Sequence, residues 1–177
     1  FRKEIMSLVE TDWLENNKEK VKIIDCSWHM PQTKRNGFEE YKTQHIPESI
    51  FFDLDDNSNK NTNLPHMLVN KNEWEKIVSN MGIKNDDMII IYDNSDVVSS
   101  CRCWFNFTYY GHDPKLVHVL NGGLKKWLQE NRKVTNNLSK VMKSDYKSFE
   151  KKELVKNKDS INQNIETQNF RIVDARS

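Results

Sequence analysis

The chain of 177 residues is long enough for one domain and an extension. Lysine and arginine number 27 and aspartate and glutamate 26, so the formal net charge is +1. This balance provides no basic surface for nucleic acid or for an anionic membrane. The longest apolar run, residues 88–92, is far too short to span a bilayer, and Phe1-Arg2-Lys3 does not open a signal peptide. We therefore expect a soluble chain.

Three cysteines at irregular spacing argue against a disulfide framework and favour a reducing compartment. We expect the cytoplasm, with the mitochondrial matrix as the alternative, because a mature matrix protein has lost its transit peptide. Cys101 and Cys103 have no second pair at the spacing of zinc ligands. On a helix their side chains would point about 200° apart, so at least one should be a buried packing residue.

The first half of the chain predicts a helix, two strands and a second helix. Thr11 is expected to cap a short helix, and residues 21–25 and 50–53 have the patterns of strands. Asn70 is expected to cap an amphipathic helix. The apolar residues of that helix recur at helical spacing: Trp74, Ile77, Val78 and Met81.

The second half of the domain continues this alternation. Residues 88–92 form a continuous apolar run, which is typical of a central parallel strand covered on both faces. A second apolar helix is expected to end at Tyr110, followed by a strand at 116–120, a turn at 122–123 and a helix at 124–128. Strands that alternate with helices predict an α/β domain with a mostly parallel central sheet and helices on both faces.

The last quarter of the chain differs in composition. Residues 134–168 are rich in Lys, Asn, Ser and Glu, which predicts a connecting segment with a short helix near 160–165. Residues 171–177 then repeat the pattern of residues 22–27, about one domain length later. With the missing initiator methionine, this repeat leads us to expect three parts: a domain at 1–133, a linker at 134–169, and the first strand of a truncated second domain at 170–177.

A series of short motifs occurs at compatible spacing along the chain: residues 23–28, 41–47 with the pattern aromatic-x-x-x-His-Ile-Pro, 51–55, 65–68, 92–93, 101–104, and 120–123 with Trp127. In this order the motifs resemble the rhodanese-type sulfurtransferases, and within them the two-domain branch that uses 3-mercaptopyruvate or thiosulfate. One departure is Glu48-Ser49, where the family usually has Gly-Ala. The resemblance implies a rhodanese-like α/β fold for the first domain.

The resemblance also implies that this domain is not the catalytic one. An active domain of the family carries its nucleophilic cysteine directly after the central strand, where backbone N–H groups and a helix N-terminus stabilise a thiolate and its persulfide. The corresponding position is Asp93, and a carboxylate cannot form a persulfide. Arg102 resembles the arginine that closes this loop by clamping a carbonyl or an ion pair. We therefore expect Asp93 and Arg102 to belong to a degenerate active loop, with the active cysteine beyond Ser177.

Asp55 and His66 match positions at which 3-mercaptopyruvate sulfurtransferases place an aspartate and a histidine facing the active loop of the other domain. The resemblance implies that the aspartate orients the imidazole and that the histidine works with a serine of that loop, as in a hydrolase relay. The alternative is that both residues only make local hydrogen bonds in a Pro-His turn.

We expect several other residues to have structural roles. His45 is expected to pin a tight turn, and Asp25 and Asp174 to anchor equivalent strand ends. Gly122 and Gly123 are expected to supply positive φ angles in a strand-to-helix turn. They are not expected to form a phosphate loop, because the Lys-Ser/Thr continuation of that motif is absent.

The resemblance implies that the intact protein moves sulfane sulfur from 3-mercaptopyruvate or thiosulfate to a thiol or cyanide, through a cysteine persulfide of its second domain. No metal or organic cofactor is implied. The expected partners are the second rhodanese domain of the same protein, the small sulfur donor and the thiol acceptor, with no nucleic acid and no membrane. The alternative is a non-catalytic rhodanese-like module that binds or scaffolds a partner.

Overall fold

A computed structural model describes residues 7–174 of the chain. In that range a 5-stranded sheet is formed by β1 (Leu8–Val9), β2 (Lys22–Asp25), β3 (Ser49–Phe51), β4 (Ile89–Tyr92) and β5 (Val117–Leu120). The helices of the same range are α1 (Thr11–Asn17), α2 (Gly37–Thr43), α3 (Lys71–Asn80), α4 (Ser99–Tyr109), α5 (Gly123–Gln129) and α6 (Lys158–Thr167). All strand pairs are parallel, and the order across the sheet is β1-β5-β4-β2-β3.

Strand β4 is the central strand, as its apolar run predicts. Its residues alternate between two clusters, because successive side chains of a strand point to opposite faces. Ile89 and Ile91 pack with residues of α3 and α4, while Ile90 and Tyr92 pack with residues of α1 and α5. The predicted α/β sheet with helices on both faces is therefore confirmed.

The chain turns in opposite directions after β2 and β4. In the sheet these two strands are neighbours, with Asp25 opposite Tyr92, but β2 leads to β3 on one side and β4 leads to β5 on the other. A crevice forms outside the carboxyl ends of parallel strands where the order reverses in this way. The loops that leave Asp25 and Tyr92 therefore begin side by side at the expected position of a functional site.

Two elements were absent from the sequence-based prediction. Strand β1 has two residues and α2 has seven, so neither is long enough to show a clear periodicity. The start of α2 does carry a local signal, because the Asn36 side chain accepts a hydrogen bond from the backbone N–H of Glu39. The predicted cap of α1 was wrong by one residue, since Glu10 occupies that position and Thr11 is already helical.

Part of the predicted connecting segment packs closely against the domain. Tyr146 is buried, its ring stacks on His112, and its backbone N–H donates to Ser79 Oγ at 3.0 Å. The segment has a helix, α6, which is longer than the one predicted at 160–165. Residues 171–174 form no strand, and 175–177 lie outside the described residues, so the predicted first strand of a second domain remains a prediction.

Candidate functional site

The loops after β2 and β4 are joined by a buried carboxylate. Asp25 accepts hydrogen bonds from the backbone N–H and the hydroxyl of Ser27, at 2.9 and 2.5 Å. The Ser27 hydroxyl oxygen in turn accepts the backbone N–H of Asn94 at 2.8 Å. Burial raises the pKa of Asp25 to about 6, although the hydrogen bonds from Ser27 favour the charged form. Asp25 is a structural anchor at the base of the site.

Asp93 lies where the central strand ends, at the position predicted for a degenerate loop. Its Oδ1 accepts the backbone N–H of Ser95 at 3.1 Å, and its Oδ2 accepts that of Ser100 at 2.7 Å. The side chain thus caps the first turn of α4, where unpaired N–H groups and the helix dipole favour an anion. The carboxylate itself occupies these donors, and a carboxylate offers no sulfur nucleophile.

Gly123 is required beside this loop for two reasons. Its φ is +55°, and a Cβ atom would lie 2.5 Å from the carbonyl oxygen of Asp93. That carbonyl accepts the backbone N–H of Leu124 at 2.9 Å, which joins the start of α5 to the loop. The adjacent Gly122 also has a positive φ, as the turn at 122–123 requires.

None of the three cysteines lies directly after the central strand, at the position of Asp93. Cys101 is exposed beside a cavity of about 550 Å³ that Asp93 also lines, and partial burial of its sulfur together with the nearby Asp93 charge raises the thiol pKa. Cys26 and Cys103 are buried, and the contact with the Cys103 thiol together with burial raises the pKa of Cys26. Cys26 and Cys101 therefore favour the neutral thiol.

The structure brings Asp55 and His66 together. Asp55 Oδ1 lies 2.7 Å from His66 Nε2, and the second carboxylate oxygen, Oδ2, accepts the indole N–H of Trp28 at 3.0 Å. The Trp28 ring also meets the imidazole edge to face, with centroids 4.8 Å apart. The His66 side chain is 23% exposed and that of Asp55 63% exposed, so the imidazole can be reached from outside the domain.

A loop closure returns His66 to Asp55. The backbone N–H of Asn59 donates to the carbonyl of Met67 at 2.8 Å, which closes the intervening polar loop. His66 has a φ of +54°, and its carbonyl oxygen accepts a hydrogen bond from the Arg102 guanidinium. Arg102 therefore acts as a carbonyl clamp, and it joins the helix after the Asp93 loop to the histidine.

Some polar residues at this edge were not predicted. Glu40 of α2 pairs with Arg35 at 2.7 Å and contacts the imidazole of His29 at 3.1 Å. It also accepts the side-chain N–H of Asn94 at 3.0 Å, and therefore ties α2 to the loop after β4. The hydrogen bond from the Trp28 indole to Asp55 was also missed, although Trp28 itself lies in the motif at 23–28.

His45 has a structural role. It is buried, and its two ring nitrogens lie 2.6 Å from the Tyr41 carbonyl and 3.2 Å from the Asn137 carbonyl. Within residues 7–174 no three His, Cys, Asp or Glu side chains are arranged to hold a metal ion. None of the helices in this part of the chain has the length and apolar character needed to cross a membrane.

Comparison with known proteins agrees with this geometry. Residues 10–130 match the rhodanese-like domain family. The thiosulfate/3-mercaptopyruvate sulfurtransferase 1, mitochondrial, of Arabidopsis thaliana is 42% identical over 122 residues, which cover 68% of this chain and 32% of that protein. The thiosulfate sulfurtransferase of Rattus norvegicus is 31% identical over 179 residues, with 97% of this chain and 59% of that protein covered.

The fold is also similar to that of solved structures. The crystal structure of SseA from Escherichia coli, described as a 3-mercaptopyruvate sulfotransferase, matches with a TM-score of 0.90 and 26% identity, covering 97% of this chain and 66% of that one. The chain thus spans less than two thirds of the length of these relatives. Because the family match covers most of the sheet and its helices, the chain belongs to the rhodanese-like domain family.

Proposed function

We propose that this chain is the N-terminal part of a sulfurtransferase. The intact protein takes sulfane sulfur from 3-mercaptopyruvate or thiosulfate onto a cysteine of a second rhodanese domain and passes it to a thiol or cyanide. The observation that carries the proposal is the 2.7 Å contact between Asp55 and His66 on an accessible face of the domain. The sulfurtransferase relatives supply the reaction class.

The proposed role of the pair is to move a proton during cleavage of the donor C–S bond. The ionised Asp55 accepts from Nε2–H of His66, so Nδ1 is left with a lone pair that can receive a proton. When a cysteine thiolate attacks the sulfur of 3-mercaptopyruvate, an S–S bond forms, the C–S bond breaks, and the electron pair leaves on the enolate of pyruvate. The donor thiol loses one proton and the enolate carbon gains one, so the step needs no net proton. His66 and a serine hydroxyl of the other domain are the proposed carriers of this proton.

Thiosulfate makes a different demand on the same site. Its S–S bond breaks to release sulfite, which leaves as a stable dianion and needs no proton at the moment of cleavage. The proposed function therefore predicts that the Asp55–His66 pair matters more for 3-mercaptopyruvate than for thiosulfate. The supporting geometry is on this chain, whereas the persulfide cysteine belongs to the proposed second domain.

A second candidate function is a non-catalytic module that binds or scaffolds a partner. The observation that favours it is Asp93, whose carboxylate accepts the backbone N–H groups of Ser95 and Ser100 in the loop and first turn of α4. The two functions differ in the sequence that each requires beyond residue 177. If the longer protein carries a second domain with a cysteine loop, the first function is favoured; if it ends without one, the module is favoured.

The experiment is a donor assay on the proposed two-domain protein. We expect pyruvate and sulfide from 3-mercaptopyruvate with a thiol acceptor, and thiocyanate from thiosulfate with cyanide. Replacement of the cysteine after the central strand of the second domain should abolish both products. A protein that contains that domain and produces neither product would contradict the sulfurtransferase proposal.

We propose the cytoplasm or the mitochondrial matrix as the compartment of the protein.

A further inference from the structure

Trp28 uses its side chain and its backbone in two different contacts. Its indole N–H donates to Asp55 Oδ2 at 3.0 Å, while the other oxygen of the same carboxylate meets His66. The indole ring itself meets the imidazole at an interplanar angle of 87°. One tryptophan therefore contacts both members of the aspartate–histidine pair.

The backbone of Trp28 is held by the loop that carries Asp93. Its N–H donates to Ser99 Oγ at 3.1 Å, and its carbonyl accepts a hydrogen bond from the Ser95 hydroxyl. Asp93 fixes that loop by accepting the backbone N–H groups of Ser95 and Ser100. A continuous series of contacts thus runs from Asp93 through Trp28 to Asp55 and His66.

This support is needed because Asp55 is exposed. A contact between an exposed carboxylate and an imidazole is weak by itself, since water competes for the carboxylate and its rotation costs little. A second donor on the other oxygen restricts that rotation, because the two oxygens must face two fixed rings. The opposite partner is held as well, since Arg102 donates to the backbone carbonyl of His66.

We propose that Trp28 is a positioning residue for the Asp55–His66 pair and that the loop at 93–100, which has an aspartate at the cysteine position, serves as its support. This inference rests on the proposed function only for its biological consequence. The degenerate loop then has a task of its own: it orders the proton-carrying residues on one domain for a reaction on another.

The test is NMR spectroscopy of the 177-residue chain with labelled histidine. A free neutral imidazole exchanges between two tautomers, and the 15N shifts of its ring nitrogens become averaged. In the wild type at alkaline pH we expect His66 to show a protonated Nε2 and a bare Nδ1. Trp28→Phe keeps a ring against the imidazole but removes the indole N–H, so both shifts should move towards the average.

Trp104→Phe is the matched control. It also removes an indole N–H, which donates to the Val117 carbonyl at 3.2 Å, without touching the pair. Its His66 spectrum should equal that of the wild type. If the His66 15N shifts of Trp28→Phe equal those of the wild type, the inference is overturned. It is also overturned if Trp104→Phe changes these shifts as much as Trp28→Phe does.

A second pair of variants tests the support. Ser95→Ala removes the hydroxyl that donates to the Trp28 carbonyl, and Asp93→Asn places an amide NH₂ opposite the N–H of Ser95 or Ser100. Both should move the His66 shifts in the same direction as Trp28→Phe, by a smaller amount. Unchanged shifts in both would contradict the role given to the loop. Because this readout needs no turnover, its failure is distinguishable from failure of the donor assay.

Discussion

The carboxylate of Asp55 and the imidazole of His66 meet at 2.7 Å, although the two residues are 11 positions apart on an irregular loop. The contact depends on closure of that loop by the hydrogen bond from Asn59 to Met67 and on the left-handed backbone of His66. A residue other than glycine adopts that backbone only when its surroundings hold it there. The Arg102 guanidinium on the His66 carbonyl is one such restraint.

The first prediction concerns the chain by itself. The 177-residue chain should show no sulfur transfer above that of free thiols, because Asp93 cannot form a persulfide and the Cys101 thiol has a raised pKa. The measurement is thiocyanate or sulfide production from each donor, with Cys101→Ser as the control. Robust turnover that disappears in Cys101→Ser would contradict this assignment.

A second prediction concerns the buried His112. Burial lowers the pKa of its imidazole below the ordinary value of 6.5, and Nε2 lies 2.9 Å from the Asp87 carbonyl. Below about pH 6.5 the unfolded chain therefore binds a proton that the folded protein binds less readily. The free energy of unfolding contributed by this site should fall as the pH is lowered from about 7.5, until the lowered folded-state pKa is reached.

Urea unfolding of the wild type and of His112→Gln at several pH values measures this effect. Asp25, with a pKa raised to about 6, has the opposite sign, since its contribution falls as the pH rises towards that value. It is present in both proteins, so their difference isolates His112. Parallel pH profiles for the two proteins would show that His112 does not contribute.

A third prediction concerns the segment after the domain. Amides near Tyr146 should be protected from hydrogen exchange, because this ring is buried and the neighbouring backbone bonds to Ser79 and Glu75. Amides at 134–143 should exchange faster, and β4 should be the slowest. Equal protection of 134–143 and β4 would mean that the whole segment is a packed element of the domain.

The Tyr146 anchor also predicts a difference between two nearby substitutions. Tyr146→Ala removes a buried ring and should lower the free energy of unfolding by about 3–5 kcal/mol, by analogy with other buried aromatic truncations. Phe149→Ala is the control, since that side chain is 73% exposed and should change stability by less than about 0.5 kcal/mol. Denaturant unfolding of both variants measures this difference, and equal losses would show that Tyr146 is not an anchor.

Features that depend on a local sequence pattern were predictable, whereas contacts between residues far apart in the chain were not. The central position of β4 was predictable because a strand buried on both faces needs a continuous apolar run. The Asp93 position could be found because it directly follows that strand. Helix α2 was missed because its seven residues bury only Tyr41. The contact of Trp28 with Asp55 was missed because it joins loops far apart in the chain, and no local pattern encodes such a meeting.

The same reasoning limits what the family resemblance revealed about His66. The resemblance related His66 to Asp55, but it did not indicate a contact with Trp28. The structure places the imidazole half-buried against Trp28, with only 23% of the side chain exposed. The aromatic contact joins residues 28 and 66 on two different loops, so it is a tertiary effect. Substitution of His66 should therefore change both packing and chemistry, and the two effects must be measured separately.

The most direct test of the proposed function is single-turnover sulfur loading of the proposed two-domain protein by each donor. In His66→Ala the loading rate from 3-mercaptopyruvate should fall by about 10²–10⁴, the usual size of a proton-transfer contribution, while loading from thiosulfate changes much less. Thermal unfolding of the same variant separates packing from chemistry, and His118→Ala serves as the histidine control. If His66→Ala loads sulfur from 3-mercaptopyruvate at the wild-type rate but melts at a lower temperature, His66 is a turn anchor and the proposed proton transfer is wrong.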